Sequence, residues 1–173
     1  MPVFVFDASP LIAGCSFWFN GISVAELVLA GAQVWIPPAV HDEVVVRGGS
    51  RRDALEAARL IHQGQIRLAT AAEVGVELPD LHHYSLGQGD KESLALTERL
   101  EPNALLVTDD FLALVLALRL GLPHQLFLDF IVSQAVNGGV SVLLAKQAVP
   151  ALNPRYPRGF VPHALAMLDR LTP

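Results

Sequence analysis

The sequence predicts an α/β fold with a mostly parallel central sheet that helices cover on both faces. Short runs rich in valine, leucine and phenylalanine alternate with longer segments of helical spacing. The runs are apolar at every position, which is typical of strands buried on both faces. Such strands form a parallel sheet when a helix connects each one to the next.

Length and composition indicate how the chain is organised. The 173 residues fit one domain, so we expect a single domain over residues 1–173 with a helical C-terminal extension from about residue 129. Hydrophobic residues make up 52% of the chain and charged residues only 17%. This low charged fraction predicts that a partner covers some apolar surface, and we expect a homo-oligomer, most simply a dimer.

The sequence also predicts a cytoplasmic protein. No basic segment precedes Asp7, so the N-terminus does not resemble a secretory signal. The longest apolar run, residues 111–118, is too short to span a bilayer. The single cysteine, Cys15, is compatible with a reducing compartment. We therefore expect no membrane contact.

The first predicted elements are a strand, a helix and a second strand. Residues 3–6 read VFVF and end at Asp7. A helix is predicted over residues 22–30, with Ser23 as a candidate N-cap and a glycine directly after it. Residues 34–36 form the next apolar run and stop at a pair of prolines, as a strand does.

The middle of the chain continues the alternation. Pro38 can open a helix that carries Glu43, because proline is tolerated in the first helical turn. Alanine and leucine recur at helical spacing over residues 53–62, and residues 66–69 read as a short strand. Residues 70–86 show no clear period.

The second half predicts two more helices, two more strands and a helical tail. A helix is predicted over residues 90–100, then a strand over 104–107 that leads into two aspartates. Residues 111–120 form a helix that closes on a glycine. A fifth, short strand is predicted at residues 126–128, and the tail over 129–171 is mostly helical.

Acidic residues stand out in this apolar chain because they fall where the hydrophobic runs stop. Ionised groups are costly to bury unless they are paired or bind a metal. In parallel sheets, ligands bind at the carboxyl ends of the strands, near the switch point in strand order. The sequence therefore indicates one shared acidic pocket, drawn from four clusters: Asp7, Asp42 with Glu43, Asp90 with Glu92, and Asp109 with Asp110.

These acids favour a divalent-metal site. Asp7 and one of Asp109 and Asp110 would meet at neighbouring strand ends, while Glu43 and Asp90 would enter from helix N-termini. Oxygen ligands without cysteine or well-spaced histidine favour Mg²⁺ or Mn²⁺ over Zn²⁺. A metal held there can activate a water and polarise a phosphodiester without a protein nucleophile.

Hydroxyl groups lie beside two of the acids. Ser9 follows Asp7 by two residues and Thr108 precedes Asp109, so either can orient a metal-bound water or a phosphate. The alternative for any single acid is an N-cap of the next helix. For Asp109 the sequence leaves two roles open, a second metal ligand and a helix cap. Asp42 is interpreted as a solvated residue.

Basic residues give a weaker indication of RNA. Arg47, Arg51, Arg52 and Lys91 are candidate phosphate contacts, with a solvated surface role equally compatible. The net charge of −5 argues against a nucleic-acid partner, since phosphate binding usually needs a basic surface. Bound cations would reverse the local charge of the acidic pocket.

Four motifs in this order resemble the PIN-domain ribonucleases, close to the branch of short prokaryotic proteins related to toxin–antitoxin nucleases. The resemblance covers residue 3 to about residue 120, and the tail is similar more loosely. The motifs are VFDASPLI from Val5, IPPAVHDEV from Ile36, LGQGDKESLAL from Leu86 and LLVTDD from Leu105.

The resemblance implies a three-layer α/β/α sandwich that cleaves RNA with Mg²⁺ or Mn²⁺, and it makes an antitoxin protein a candidate partner. It assigns the catalytic acids as Asp7, Glu43, Asp90 and Asp110, of which Asp7, Asp90 and Asp110 are the metal ligands, with Ser9 and Asp109 assisting. The family often has glutamate where this chain has Asp90. Aspartate is shorter than glutamate by one methylene group. Glu92 is therefore an alternative ligand, because its side chain has the length that the family usually shows.

Two rival functions remain. Phosphatases and receiver domains also place an aspartate after the first strand and an acidic pair after a later one. The phosphatase pattern expects a second aspartate two residues after the first, where this chain has Ser9. A non-catalytic interaction module with the same fold is the other alternative, and the nearly complete acid set speaks against it.

Overall fold

A computed structural model describes residues 3–76 and 78–171, and it contains a five-stranded parallel sheet and a separate two-stranded hairpin. The predicted α/β class is confirmed. The strands are β1 Val3–Phe6, β2 Trp18–Phe19, β3 Ile22–Ser23, β4 Gln33–Ile36, β5 Ile66–Leu68, β6 Ala104–Val107 and β7 His124–Gln125.

Helices occupy most of the rest of the described chain. They are α1 Ala8–Ser16, α2 Val24–Leu29, α3 Pro38–His41, α4 Arg52–His62, α5 Ala71–Val74, α6 Gln88–Leu100, α7 Phe111–Arg119, α8 Phe127–Val136, α9 Val142–Ala148 and α10 Phe160–Asp169. A π-helical turn, Asp42–Val46, continues α3, and 3₁₀ turns lie at Pro79–His83 and Val149–Leu152. None of these helices is long and apolar enough to cross a bilayer.

The sheet has the strand order β5-β4-β1-β6-β7, so β1 is central and pairs in parallel with both β4 and β6. The chain first builds outward from β1 through β4 and β5, and then returns to build the other side from β6. This reversal is the switch point at which open α/β sheets bind ligands. It lies at the carboxyl ends of β1 and β6.

Two hydrophobic cores confirm the three-layer arrangement. Successive side chains of a strand point to opposite faces, so β1 supplies Phe4 and Phe6 to one core and Val5 to the other. The first core includes the aromatic side chains of α8, with the Phe6 and Phe130 rings 5.1 Å apart in an edge-to-face arrangement. The second core packs α6 and α7 against the opposite face.

The strand predicted at residues 126–128 is wrong. The fifth strand is His124–Gln125, which pairs with Leu106 and Val107, and α8 begins at Phe127. A short apolar run fits a strand and a buried helix equally well. Here the buried residues continue at helical spacing to Phe130 and Ile131, so the segment forms a helix.

The helix predicted from residue 22 begins two residues later. Ile22 pairs with Phe19 in the hairpin, whose turn is the Asn20-Gly21 pair with φ of 49° and 83°. Such positive φ values at an Asn-Gly pair are typical of tight hairpin turns. Ser23 is the N-cap as predicted, because its hydroxyl accepts a hydrogen bond from the backbone N–H of Glu26 at 3.0 Å.

Two further segments differ from the expectation in detail. The helix that Pro38 opens changes to π-helical winding over Asp42–Val46, where Glu43 lies. The segment 70–86, which shows no sequence period, contains α5 and a 3₁₀ turn. Thr70 and Glu73 form a capping box that starts α5, a signal present in the sequence but carried by only one helical turn.

Candidate active site

Asp7 is buried at the carboxyl end of the central strand. It follows β1 directly, is 3% exposed, and its backbone N–H donates to the carbonyl of Val107 at the end of β6. Its side chain does not cap α1, which starts at the next residue. The Thr108 hydroxyl donates a hydrogen bond to Asp7 Oδ2 at 2.9 Å, so the carboxylate is held at the switch point.

Asp90 brings a second carboxyl group to Asp7. It is the third residue of α6, and its Oδ2 accepts the backbone N–H of Gly87 at 3.1 Å. The carboxyl groups of Asp7 and Asp90 lie within hydrogen-bonding reach of each other. Two carboxylates this close repel each other unless a proton or a cation lies between them.

The pKa values of this pair are displaced accordingly. Burial, and next the charge of Asp90, raises the pKa of Asp7 from 3.8 to about 8. Burial also raises the pKa of Asp90, with a further contribution from the charge of Asp110, against the lowering effect of its hydrogen bonds to Asp7 and Gly87. In the absence of a cation, the pair therefore retains a proton at neutral pH.

Glu43 approaches the same point from the π-helical turn. A Cβ atom added to Gly89 would lie 3.3 Å from Glu43 Oε2 and 3.8 Å from Asp7 Oδ1. Both acids thus face the buried backbone of Gly89. Glu43 is exposed, whereas Asp7 is buried, so Glu43 lies on the solvent side of this group of acids.

Thr108 links Asp7 to Asp110. Its buried hydroxyl donates to Asp7 and accepts the backbone N–H of Asp110 at 3.1 Å. Asp110 is the N-cap of α7, since its Oδ1 accepts the N–H of Ala113 at 2.8 Å. It is exposed, and its charge acts on Asp90. Asp110 therefore belongs to the acidic group while it also starts a helix.

Asp109 points the other way and ties the strand end to the C-terminal part of the chain. Its Oδ1 accepts the backbone N–H of Phe127 at 3.1 Å, and its Oδ2 accepts the Tyr156 hydroxyl at 2.6 Å. The Asp109 backbone N–H donates to Ser9 Oγ at 3.3 Å. Both Asp109 carboxylate oxygens are thus engaged in holding α8 and the loop before α10.

Both carboxylate oxygens of Glu92 also accept hydrogen bonds from within the fold. Its Oε2 accepts the backbone N–H of Ala39 at 2.8 Å, and its Oε1 accepts from the Gln88 amide at 3.1 Å. Glu92 therefore satisfies an otherwise unpaired N–H in the first turn of α3 and fixes the helix that leads to Glu43. The structure places Asp90, rather than Glu92, against Asp7.

Of the four basic candidates, Arg51 and Arg52 contact groups other than the site acids. Arg51 donates to Asp53 at 3.1 Å, and the Arg52 guanidinium lies 4.0 Å from the centre of the Trp18 ring. Arg47 is exposed just after the π-helical turn. Lys91 lines a cavity of about 130 Å³ with Glu92 and other residues of α3, α5 and α6.

The donor set fits a hard divalent cation, although it is not a complete cation shell. In residues 3–76 and 78–171, no three or more His, Cys, Asp or Glu side chains are arranged as they stand to hold a metal ion. The facing carboxyl groups of Asp7 and Asp90 nevertheless need either a proton or a cation between them. Carboxylate oxygens with water are the ligands that Mg²⁺ and Mn²⁺ accept.

Sequence reasoning misses two residues of this arrangement. Gly89 is buried and leaves room for Glu43 and Asp7. Its signal is a glycine in the first turn of a helix, where it costs stability unless space demands it. Tyr156 holds Asp109 from 47 residues away, and nothing local in the sequence marks that pairing.

A comparison with family models gives a match over most of the chain. A model described as a PIN domain matches residues 3–153, which include every acid discussed above. No curated protein matches the sequence.

Proposed function

The chain belongs to the PIN-domain family, and from this premise we propose that it is a divalent-metal-dependent ribonuclease that hydrolyses RNA phosphodiester bonds. PIN domains have a nuclease-type fold and generally use divalent metals, which supports a hydrolase. The endoribonuclease activity and the choice of Mg²⁺ or Mn²⁺ are our proposals.

One observation carries the proposal, namely the buried contact between Asp7 and Asp90. A carboxylate that is 3% exposed and faces another carboxylate has no stabilising role in the fold by itself. The pair lies at the switch point of the sheet, where ligands bind in this class of fold. Strongly displaced pKa values in such a place are typical of functional residues.

The acidic residues of the site would have different roles in this reaction. Asp7 and Asp90 would hold the cation, with Asp110 the third candidate ligand. A bound divalent cation would supply Lewis-acid activation of the phosphodiester and of water. Thr108 keeps the Asp7 carboxylate oriented through the 2.9 Å hydrogen bond. The exposed Glu43 is the candidate acceptor of the proton that the attacking water loses.

The other acids and hydroxyls support this group. Glu92 positions α3, and Asp109 with Ser9 fixes the end of β6. Arg47, Arg51, Arg52 and Lys91 all remain candidate RNA contacts. Arg51 and Arg52 would have to leave Asp53 and the Trp18 ring to reach a phosphate.

The test is cleavage of labelled RNA by the full chain in the presence of Mn²⁺, in the presence of EDTA, and by the variants Asp7→Asn and Asp90→Asn. We expect EDTA and each variant to reduce the rate by at least about 100-fold, as removal of central catalytic groups does. Asp42→Asn is the matched control, because Asp42 is an exposed carboxylate next to Glu43. It should cleave like the unaltered protein.

The outcome separates the rival functions. Equal cleavage by Asp7→Asn and the control would contradict the metal-nuclease proposal. Absence of cleavage by every form, together with tight binding of a protein partner, would favour the non-catalytic module. Retention of a phosphoryl group from a small acyl phosphate would favour the phosphatase alternative.

We also propose that the protein works in the cytoplasm as the toxin of a toxin–antitoxin pair, as its resemblance to the toxin–antitoxin-related branch implies. Expression of the full chain in bacteria should then arrest growth, and expression of Asp7→Asn should not. Equal growth with both forms, at equal protein levels, would contradict the toxin role and leave the nuclease proposal standing.

A further inference from the structure

A recess lies between the first turns of α8 and α10. Its volume is about 450 Å³, which is within the range of pockets that hold small ligands. Part of its wall is apolar and part carries charged or polar side chains. We call this feature the α10 recess, and define it by the residues that the argument uses: Leu128, Asp129, Arg158, Phe160, His163 and Ala164.

Two hydrogen bonds hold the α10 recess next to the acidic site. Asp109 Oδ1 accepts the backbone N–H of Phe127 at the start of α8, and Asp109 Oδ2 accepts the Tyr156 hydroxyl from the loop before α10. Both sides of the recess are therefore tied to one carboxylate, and the next residue along the chain is Asp110. An RNA strand bound at the acids can thus place a neighbouring nucleotide in the recess.

The polar side chains of the α10 recess are available to a ligand. Asp129, Arg158 and His163 are all exposed. Among the residues that the structure describes, none of these three side chains has a hydrogen-bonding or ion-pair partner. Asp109, by contrast, uses both carboxylate oxygens within the fold. The recess therefore offers an acceptor pair and basic groups at one place.

The chain around the recess also differs in charge from the rest of the molecule. Residues 130–168 contain Lys146, Arg155 and Arg158 and no aspartate or glutamate, although the whole chain has a net charge of −5. Phosphates of RNA are attracted to such a basic segment. Arg158 is the basic residue of this segment that lines the recess and is charged at every working pH.

Phe160 provides a surface on which a base can stack. It is 43% exposed, and its ring lies within 16° of parallel to the Tyr156 ring, with 6.5 Å between the ring centres. Tyr156 is itself fixed by its hydrogen bond to Asp109, so the same strand end sets the position of both rings. Single-stranded RNA is commonly bound through unpaired bases that stack on aromatic side chains.

We propose that the α10 recess binds a guanine base of the RNA strand, beside the nucleotides at the acidic site. The base would stack on Phe160, its N1–H and exocyclic amino group would donate to the two oxygens of Asp129, and an adjacent phosphate would lie against Arg158. This inference rests on the proposed function, which supplies RNA as the ligand.

The donor pattern of the bases selects guanine. An ionised carboxylate only accepts hydrogen bonds, and it can accept two in parallel. Guanine presents two adjacent N–H donors on its Watson–Crick edge, whereas adenine and cytosine present one donor group beside an acceptor nitrogen, and uracil presents one N–H between two carbonyl groups. Asp129 therefore pairs fully with guanine alone, and an acceptor of any other base would face its negative charge.

Binding of labelled RNA to the full-length Asp7→Asn chain tests the choice of base without cleavage, by fluorescence anisotropy. The RNAs are single strands of uridine with one central guanosine, adenosine or inosine. The guanosine strand should bind about tenfold tighter than the adenosine strand, as one good bidentate pair allows. Inosine lacks the exocyclic amino group, so its strand should lie between them. Equal binding of the guanosine and adenosine strands overturns the proposal.

Asp129→Asn, in the same chain, tests the carboxylate through a change of preference. An asparagine amide pairs with adenine through one donor and one acceptor, so this variant should bind the adenosine strand at least as tightly as the guanosine strand. Asp42→Asn is the matched control, since Asp42 is another exposed aspartate, and it should keep the preference for guanosine. An unchanged preference, or an equal loss for both strands, overturns the role of Asp129.

Arg158→Gln tests the phosphate contact. It should weaken the guanosine and adenosine strands alike, and it should reduce the slope of log K against log salt by about 0.7, the value for one phosphate of a single strand. Arg170→Gln is the matched control, because Arg170 is exposed at the other end of α10. A slope that is the same in Arg158→Gln and the control overturns the contact.

Phe160→Ala tests the stacking. We expect binding to weaken about tenfold, and Phe160→Trp to retain it, because each base stacked on an aromatic ring contributes substantially to affinity. Circular dichroism shows whether both variants are folded. A folded Phe160→Ala chain that binds as tightly as the unaltered recess overturns the stacking.

The two proposals fail in different ways. If the unaltered chain cleaves no RNA while Asp7→Asn prefers the guanosine strand, the proposed function fails and the guanine site stands. If the unaltered chain cleaves the guanosine and adenosine strands equally well, and Asp7→Asn binds them equally, the guanine site fails and the ribonuclease stands.

Discussion

At the scale of single residues, the properties of the site depend on the burial of Asp7. The Thr108 hydroxyl is its one neutral hydrogen-bond donor among the side chains described, and Asp90 faces it as a second acid. A carboxyl group in this position favours the protonated form. Removing or supplying a cation therefore changes the protonation of the whole pair.

This burial predicts a pH dependence of stability in the metal-free protein. The pKa of Asp7 is about 8 in the folded chain and near 3.8 when exposed, so the folded chain holds a proton that the unfolded chain releases between these values. The contribution of this group to the free energy of unfolding should be greatest below pH 4 and should fall as the pH rises towards 8. Urea unfolding in EDTA from pH 5 to pH 8 measures the slope.

Asp7→Asn is the comparison for that experiment. Asparagine keeps the shape of the side chain and does not titrate, so the fall in stability with pH should become shallower. Equal slopes for the two proteins would show that Asp7 is not the buried acid responsible.

Gly89 predicts a separation of activity from stability. Gly89→Ala adds a methyl group 3.3 Å from Glu43 Oε2 and 3.4 Å from a Val40 methyl carbon, so Glu43 must shift. Alanine in a helix normally stabilises by about 0.5–1 kcal/mol relative to glycine. We expect RNA cleavage to fall severalfold while thermal stability changes little. Unchanged cleavage would exclude Gly89 from the site.

Neighbouring acids show what could be predicted from sequence at this scale. Parallel strands end at one edge of a sheet, so the position of Asp7 near the aspartates after β6 follows from the pattern of strands. The choice between Asp109 and Asp110 does not follow, because adjacent residues point in different directions. Contacts with Phe127 and Tyr156 decide it, and both are distant in sequence.

At the scale of elements, Asp109 connects the sheet to the C-terminal helices. The Tyr156 hydroxyl reaches it at 2.6 Å, and burial together with the charge of Asp109 raises the pKa of Tyr156. The phenol therefore stays protonated as a donor over the whole working range of pH. The loop before α10 is thus held at the end of β6, next to the acids.

We expect Tyr156→Phe to lower the free energy of unfolding by about 1–3 kcal/mol, because it removes a hydrogen bond to a charged group and leaves Asp109 Oδ2 without this donor. Urea unfolding at pH 7 measures the change. Tyr84→Phe is the matched control, since the Tyr84 hydroxyl accepts only an exposed hydrogen bond from Arg119. A cost no larger than that of the control would contradict the role of the Asp109 contact.

Some boundaries between secondary-structure elements cannot be predicted from sequence patterns. The strand β6 and the helices α6 and α7 follow from strong local signals. The boundary between β7 and α8 does not, because residues 126–128 are apolar in either conformation, and packing of Phe127 and Phe130 against β1 selects the helix. The hairpin turn at Asn20-Gly21 is predictable from the sequence, since that pair is a strong turn signal.

At the scale of the whole molecule, the proposed metal binding would be coupled to the net charge of the chain. The chain carries a net charge of −5, and its buried acids add repulsion that a cation removes. Mn²⁺ should therefore raise the melting temperature by several degrees. Saturation at one hundred times Kd contributes about 2.7 kcal/mol, and each kcal/mol shifts the melting temperature of a domain of this size by about 2–4 °C.

Thermal melting with and without Mn²⁺ measures this shift, with Asp90→Asn as the variant and Asp42→Asn as the control. The shift should shrink in the first and persist in the second. An equal shift in both would place the cation elsewhere on the acidic surface.

The hydrogen bond between Tyr156 and Asp109 also has a consequence for the order in which the chain becomes complete during synthesis. Asp7, Asp90 and Asp110 all lie within the first 110 residues, whereas the hydroxyl that holds Asp109 comes 47 residues after it. A nascent chain therefore carries all of these acids before it carries the side chain that fixes the neighbouring strand end. Translation has to pass Tyr156 before this edge of the site reaches its final form.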